Sequence, residues 1–345
     1  MKPLDPVELA FELMSIDSTS GHEGAVVAYA CALLSGRGWR VRPIPVSEGR
    51  ENLLASATTE PLVTFTTHLD TVPPFFPPRL EGERVVGRGA CDAKGIAAAM
   101  ICAAEKLRAR GVPVALLLLV GEETLHDGAR AANRIATTSR VLIGGEPTGS
   151  TLAVGCKGSL RATIHTRGRA AHSAYPHLGH SAIDALLVVL HDLRALELPR
   201  DPLLGDTTLN IGWIEGGVAD NVVAPSAQAR LMVRLVTAPD EMRALLERSV
   251  AGRAEIAWGV CTPPLRMETV DDFPTATMAY TTDLTELSNW GKPYLFGPGS
   301  IHVAHGNDEH ILASELHRAV DSYERLGNEM FRQSMKEGRA CAEDR

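Results

Sequence analysis

The 345-residue chain is 45% hydrophobic and 22% charged, the balance of a folded globular protein, and its length favours two domains with a sizeable core. A formal charge of -8 without a dense lysine and arginine block argues against nucleic acid or an anionic membrane as the main partner and favours small-molecule chemistry. The longest apolar run, residues 114–120, is too short to span a bilayer, and Asp5 and Glu8 stand where a secretion signal needs an apolar stretch, so a cytoplasmic location is expected.

Asp5, Pro6 and Glu8 supply an N-cap, a first-turn proline and a capping-box acid, so a helix opens the chain. Strand and helix signals then alternate over 62–67, 93–110, 114–120, 128–136 and 141–145, which predicts an α/β layer with a largely parallel sheet flanked by helices. From 159 to 260 the order becomes strand 159–166, helix 181–196, strands 208–214 and 227–237, helix 239–250 and strand 254–260, the split βαββαβ pattern of a ferredoxin-like domain. Residues 155–262 are therefore expected as an insertion into a discontinuous domain of 1–154 and 263–345, which ends in a helix over 314–337. No repeat or low-complexity segment is evident, and the proline-rich stretch 73–78 reads as a short loop. Cys31, Cys91, Cys102, Cys156, Cys261 and Cys341 form no CxxC pair, so they are expected to be reduced and to bind no zinc.

Three apolar strands each lead into a potential metal ligand: 62–67 into His68, 114–120 into Glu122 and Glu123, and 141–145 into Glu146. In an open parallel sheet, ligands gather just beyond the carboxyl ends of the strands. Asp92 lies in the glycine-rich turn 87–95, where it also suits a helix cap, and His305 lies in the late loop 297–307. His, Asp and Glu without Cys are the donor set of catalytic zinc, cobalt or manganese. Asp70, two residues after His68, offers an acceptor that would fix the imidazole tautomer. Gly87, Gly89 and Gly95 lack the dinucleotide spacing, so no nucleotide site is expected. His22, His126, His165, His177, His180, His191, His302, His310 and His317 read as ordinary surface or core residues.

Taken in order, His-Leu-Asp-Thr-Val-Pro at 68–73, Gly-Arg-Gly-Ala-Cys-Asp-Ala-Lys-Gly at 87–95, Gly-Glu-Glu-Thr at 121–124, Glu-Pro-Thr at 146–148, His-Ser-Ala-Tyr-Pro at 172–176 and Ala-His at 304–305 resemble the signatures of a dinuclear-zinc metallopeptidase family. That family includes acetylornithine deacetylase, succinyl-diaminopimelate desuccinylase, aminoacylase and carboxypeptidase G, and the agreement runs over nearly the whole chain. The resemblance implies two zinc ions, replaceable by cobalt or manganese, with Asp92 bridging them, His68 and Glu146 completing one site, and Glu123 and His305 the other. It implies Glu122 as general base, and His172 as a histidine that reaches from the inserted domain into the partner subunit's active site of a homodimer. Asn221 and Arg234 sit where relatives bind the substrate carboxylate or oxyanion, and an arginine can grip a carboxylate bidentately. Arg234 also admits a plainer reading as a strand arginine salt-bridged at the surface.

Relatives with Asp in place of Glu146 lean towards peptides, so Glu146 favours deacylation or carboxypeptidase action. Residues 74–81, Pro-Phe-Phe-Pro-Pro-Arg-Leu-Glu, look more like the acetylornithine and acetyl-lysine deacetylase branch of arginine and lysine biosynthesis. The expected substrate is thus a small N-acyl amino acid, acetylornithine, acetylcitrulline or acetyl-lysine. Alternatives are succinyl-diaminopimelate, a peptide cut by carboxypeptidase or dipeptidase action, and lysine or ornithine held on an amino-group carrier protein. The last is disfavoured by the charge of -8, since such a carrier is acidic. A metal-free binding protein without activity is the alternative of another class.

Overall fold

A computed structural model describes residues 2–343, with side chains to residue 336, and divides the chain into two compact units. The larger comprises Met1–Val154, Met267–Ala276 and Thr282–Arg345, and the smaller comprises Gly155–Arg266 and Thr277–Thr281. The smaller unit runs past residue 262 because Leu265 and Arg266 pair with Cys156 and Gly155 at its start.

In the larger unit the sheet has the order Arg40–Ser47, Arg50–Ser56, Val114–Leu119, Val63–His68, Val141–Gly144, Lys292–Leu295. The last four strands are parallel to one another, and the first two are antiparallel additions at one edge. The sheet is thus mixed. Pro43 and Pro45 mask the edge strand in the sequence, and an edge is where a strand tolerates proline. Every residue of Val63–His68 and Val114–Leu119 is buried. Helix Lys94–Ala109 packs on these two strands and is itself covered by Pro6–Met14 and the C-terminal helix Ala313–Glu343. Asp5 caps the first helix as expected, its carboxylate accepting from the amides of Val7 and Glu8. Burial of each leucine in Val114–Leu119 contributes roughly 1.5–3 kcal/mol. That gain lets the same strand end carry ionised groups.

Helix Asp127–Ala132 is shorter than expected, because Asn133 leaves the helix to bond Asn289 through both its side-chain and backbone oxygens. Among the described residues no helix is long and apolar enough to cross a membrane. The described residues contain no disulfide, and the Cys341 side chain lies outside the described residues.

The smaller unit is an antiparallel sheet of order Thr208–Gly216, Ser226–Leu235, Gly158–Arg167, Glu255–Thr262. Helices Ala182–Arg194 and Pro239–Val250 cover one face, and the core between holds Leu160, Ile164, Leu186, Leu190, Leu231 and Leu246. This is the ferredoxin-like arrangement that the element order predicts.

Candidate metal centre

Three neighbouring parallel strands stop at the same level. Val63–His68 ends in His68, Val114–Leu119 leads through Gly121 (φ +76) into Glu122 and Glu123, and Val141–Gly144 leads into Glu146. The glycine-rich turn before helix Lys94–Ala109 adds Asp92, and His305 (φ 63) enters from the loop after Lys292–Leu295. The larger unit therefore brings all six together.

Asp92 is their common partner. Its Oδ1 lies 3.1 Å from His68 Nε2 and its Oδ2 lies 3.3 Å from His305 Nε2. Glu146 Oε2 is 3.9 Å from His68 Nε2, and Glu123 Oε2 is 3.0 Å from His305 Nε2. One carboxylate thus faces two imidazoles, each with its own second acid. Ligand atoms of His68, Asp92 and Glu123 lie within 4.8 Å of one another, a spacing that a cation can span. His68 Nδ1 is 2.9 Å from the Asp70 carbonyl, so Nδ1 carries the hydrogen and Nε2 keeps its lone pair for a metal. The Cys91 thiol nearby is pushed well up by burial, Glu309 and Asp92, which keeps it neutral and a poor ligand. The donor set fits hard or borderline dications held by nitrogen and oxygen.

The Asp70 carboxylate does more than orient His68, from whose Nδ1 it lies 3.5 Å away. Its two oxygens accept from the amides of Glu122 (3.1 Å) and Glu123 (3.2 Å), and one also accepts from Ser20 Oγ (2.7 Å). Asp70 thereby anchors the turn that presents both glutamates.

Charge in the cluster is unbalanced. Burial first, then the charges of Asp283, Glu123 and Asp92, pushes Glu122 well above the usual carboxylate range. Burial and Glu122 do the same to Glu146, and burial raises Glu123. Burial would also raise Asp92, but hydrogen bonds from His305 and His68 hold it below its ordinary value. For His68, burial is outweighed by Asp70, Asp92 and Glu146, and its pKa rises well above 6.5. His305 is pushed up to about 10 by its hydrogen bonds to Asp92 and Glu123. Carboxylates outnumber imidazoles, and bound cations would supply the missing positive charge.

Several supporting residues were not evident from the sequence. Glu309 is fully buried, its Oε1 accepting from the amides of Cys91 (3.3 Å) and Asp92 (3.2 Å) while Oε2 meets the equally buried Arg88 at 2.7 Å. Arg50 joins Glu23 to Asp127, the first residue of the helix after the Glu122 turn. His126, expected as an ordinary surface or core residue, is buried, its Nδ1 2.9 Å from Asp283 Oδ1 and 3.8 Å from Glu122 Oε1. Its place four residues after Glu122 was the available hint, whereas nothing local pointed to Asp283, 157 positions away.

His172, Asn221 and Arg234 lie in the smaller unit. His172 bridges Val222, and the Ser173 amide donates to the Asn221 carbonyl at 3.0 Å, so His172 and Asn221 adjoin. The exposed His172 accepts from the Ala174 amide at Nδ1 (3.1 Å), which leaves Nε2 for another partner. Arg234 stands on a separate strand, half-buried, its pKa lowered by burial and by Arg161. Among the described residues it makes no ion pair, unlike the surface salt bridge of the plainer reading.

A family model described as a peptidase dimerisation domain matches residues 154–255. A protein named "Probable carboxypeptidase" from Aspergillus terreus is 39% identical over 91% of this chain and 84% of its own length. A peptidase M20 domain-containing protein of Schizosaccharomyces pombe is 37% identical over 93% of this chain and 83% of its own. Among solved structures, the M20 family metallo-carboxypeptidase Sso-CP2 of Sulfolobus solfataricus superposes with a TM-score of 0.77 at 17% identity, over 95% of this chain and 99% of that one, which speaks for the fold alone.

Proposed function

This chain belongs to the M20 peptidase family, and from that premise we propose that it is a two-metal hydrolase that cuts the amide bond of a small N-acyl amino acid. The observation that carries the reading is Asp92, whose two oxygens face His68 and His305 separately, while Glu122 is a half-buried acid whose ion-pair partner is His126, outside the ligand set. His68, Asp92 and Glu146 would hold one cation, and His305, Asp92 and Glu123 the other. When bound, two zinc ions, or cobalt or manganese in their place, would polarise the scissile carbonyl and lower the pKa of a water. Glu122 takes a proton from that water as its oxygen bonds to the carbonyl carbon. It then delivers the proton to the nitrogen as the C–N bond breaks, giving a carboxylate and a free amine. Burial and neighbouring charge raise the affinity of Glu122 for that proton, which suits a group that must hold it briefly.

N-acyl amino acids and peptides cut at the C-terminal residue share a free carboxylate next to the scissile amide. Arg234, half-buried without an ion-pair partner among the described residues, suits that carboxylate, while Asn221, beyond the opposite end of the same strand, would serve a separate recognition role beside His172. His172, with Nε2 available, would donate to the oxyanion in a second copy's active site, making a homodimer part of the catalyst. Acetylornithine, acetylcitrulline and acetyl-lysine are the substrates proposed first. The names of the Aspergillus and Sulfolobus proteins favour carboxypeptidase action as a second reading.

The deciding assay is amine release from acetylornithine, acetylcitrulline, acetyl-lysine, succinyl-diaminopimelate and a dipeptide, before and after zinc or cobalt is added to metal-free protein. Metal-dependent release from an acetylated basic amino acid is expected. Release from the dipeptide alone would transfer the assignment to the carboxypeptidase reading, and release from none would end both.

A further inference from the structure

The turn from Gly121 to His126 closes on itself. The amides of Leu125 and His126 both donate to the Gly121 carbonyl, at 3.2 and 2.9 Å, and His126 Nδ1 comes within 3.8 Å of Glu122 Oε1. His126 adopts φ 53, a left-handed conformation uncommon for any residue but glycine. Its neighbours are pinned, Asp127 by Arg50 at 2.5 Å and Gly128 by Asn52, whose Nδ2 donates to the Gly128 carbonyl at 2.8 Å. The chain thus places a buried imidazole at one defined point beside the proposed base.

At that point His126 Nδ1 stands between two carboxylates, 2.9 Å from Asp283 Oδ1 and 3.8 Å from Glu122 Oε1. An ionised carboxylate only accepts, so Nδ1 carries a hydrogen and donates it to Asp283. Asp283 is itself buried, and its Oδ2 has no hydrogen-bond partner among the described residues. A carboxylate placed for stability alone would have both oxygens satisfied, because an unmet buried acceptor is costly. Without an intervening donor, Asp283 and an ionised Glu122 would repel across a poorly solvated space.

We propose that His126, oriented by Asp283, is the positioning residue of Glu122. It screens the base from Asp283 and holds the Glu122 carboxylate on the side where the attacking water is deprotonated. The inference rests on the general-base role proposed for Glu122. It assigns function to a pair that the metal cluster does not include, since neither residue is among the candidate ligands.

Steady-state kinetics and metal content test it, on whichever panel compound the wild-type protein hydrolyses, with E122Q, H126L and H126N. H126L should lower kcat by about 100-fold with KM changed by less than about threefold, the size expected when a proton-transfer group is misplaced and binding is not. Its metal content should equal that of wild type, because His126 touches no candidate ligand. Asn puts its side-chain amide close to the imidazole Nδ1 position and tolerates positive φ, so H126N should recover at least about tenfold of that loss. A kcat in H126L within about twofold of wild type would overturn the proposal, as would equal losses in H126L and H126N or loss of metal from H126L. E122Q separates the two levels. If it keeps near-normal turnover the reading of Glu122 fails first, whereas a dead E122Q beside a fully active H126L defeats only the role of His126. A wild-type protein that hydrolyses nothing in the panel removes both.

Discussion

The two units treat charge in opposite ways. In the larger one, His68, Asp70, Asp92, Glu146 and the Arg88–Glu309 pair are buried at the carboxyl end of the sheet, over strands whose residues are wholly sequestered. In the smaller one the core is apolar, and ionised groups such as the Arg167–Glu255 pair stay in water. Burying charge is costly unless each group is paired or bound to a metal, so the larger unit needs its apolar strands as a counterweight. Groups in the smaller unit that are exposed or half-buried carry no such linkage. Substitutions of the candidate ligands in the first unit should therefore change metal content and stability together with activity, and those in the second unit should change kinetics alone.

The sharpest way to break that contrast is Asp92→Asn. It removes the shared anion between His68 and His305, and should cost about 10^4-fold or more in turnover together with most of the bound metal, read by elemental analysis. An Asp92→Asn protein that keeps two equivalents of metal would show that the acid does not join two sites. In the smaller unit, Arg234→Lys should raise KM by about 10- to 100-fold while metal content and the unfolding midpoint stay put, because a lysine cannot replace a bidentate grip on a carboxylate. Loss of metal from that variant would erase the division between the units.

The smallest effect is the most diagnostic of how the cluster is balanced. In metal-free protein a proton on His305, whose pKa rises from 6.5 to about 10, is bound more tightly in the folded chain than in the unfolded one. Its stabilisation is complete below pH 6.5 and is lost as pH rises towards 10, so the metal-free unfolding midpoint should fall across that window. Half-exposure screens the effect, and the fall should be about 1 °C or less, what a fraction of a kcal/mol produces in a chain of this size. Metal replaces the proton, so zinc-loaded protein should show a flat midpoint over the same range. A flat profile in metal-free protein would mean that His305 is not held by Asp92 and Glu123.

Of the larger unit, the parallel strands and the principal helices could be read from apolar runs and caps, while the antiparallel pair Arg40–Ser47 and Arg50–Ser56 could not. Prolines and polar residues conceal an edge strand whose partner is supplied by a hairpin. Helix Gly24–Gly36 escaped notice too, since no side-chain cap marks its start. The site divided along similar lines. His68, Glu122, Glu123 and Glu146 follow apolar strands and carry a local signal. Glu309, Asp283 and Arg50 do not, because each matters through a contact across more than 70 residues of chain.

By itself, the sequence determined the α/β class and the split βαββαβ insertion, and it singled out His68, Glu122, Glu123 and Glu146 as candidates, because periodicity and strand-end position are local properties of a chain. Only the tertiary structure decided how those groups face one another: Asp92 between two imidazoles, Asp70 under the Glu122–Glu123 turn, and His126 between Asp283 and Glu122. Such pairings depend on distances of a few ångströms between residues far apart in sequence, and those distances exist only once the strands are in register and the core has closed around them.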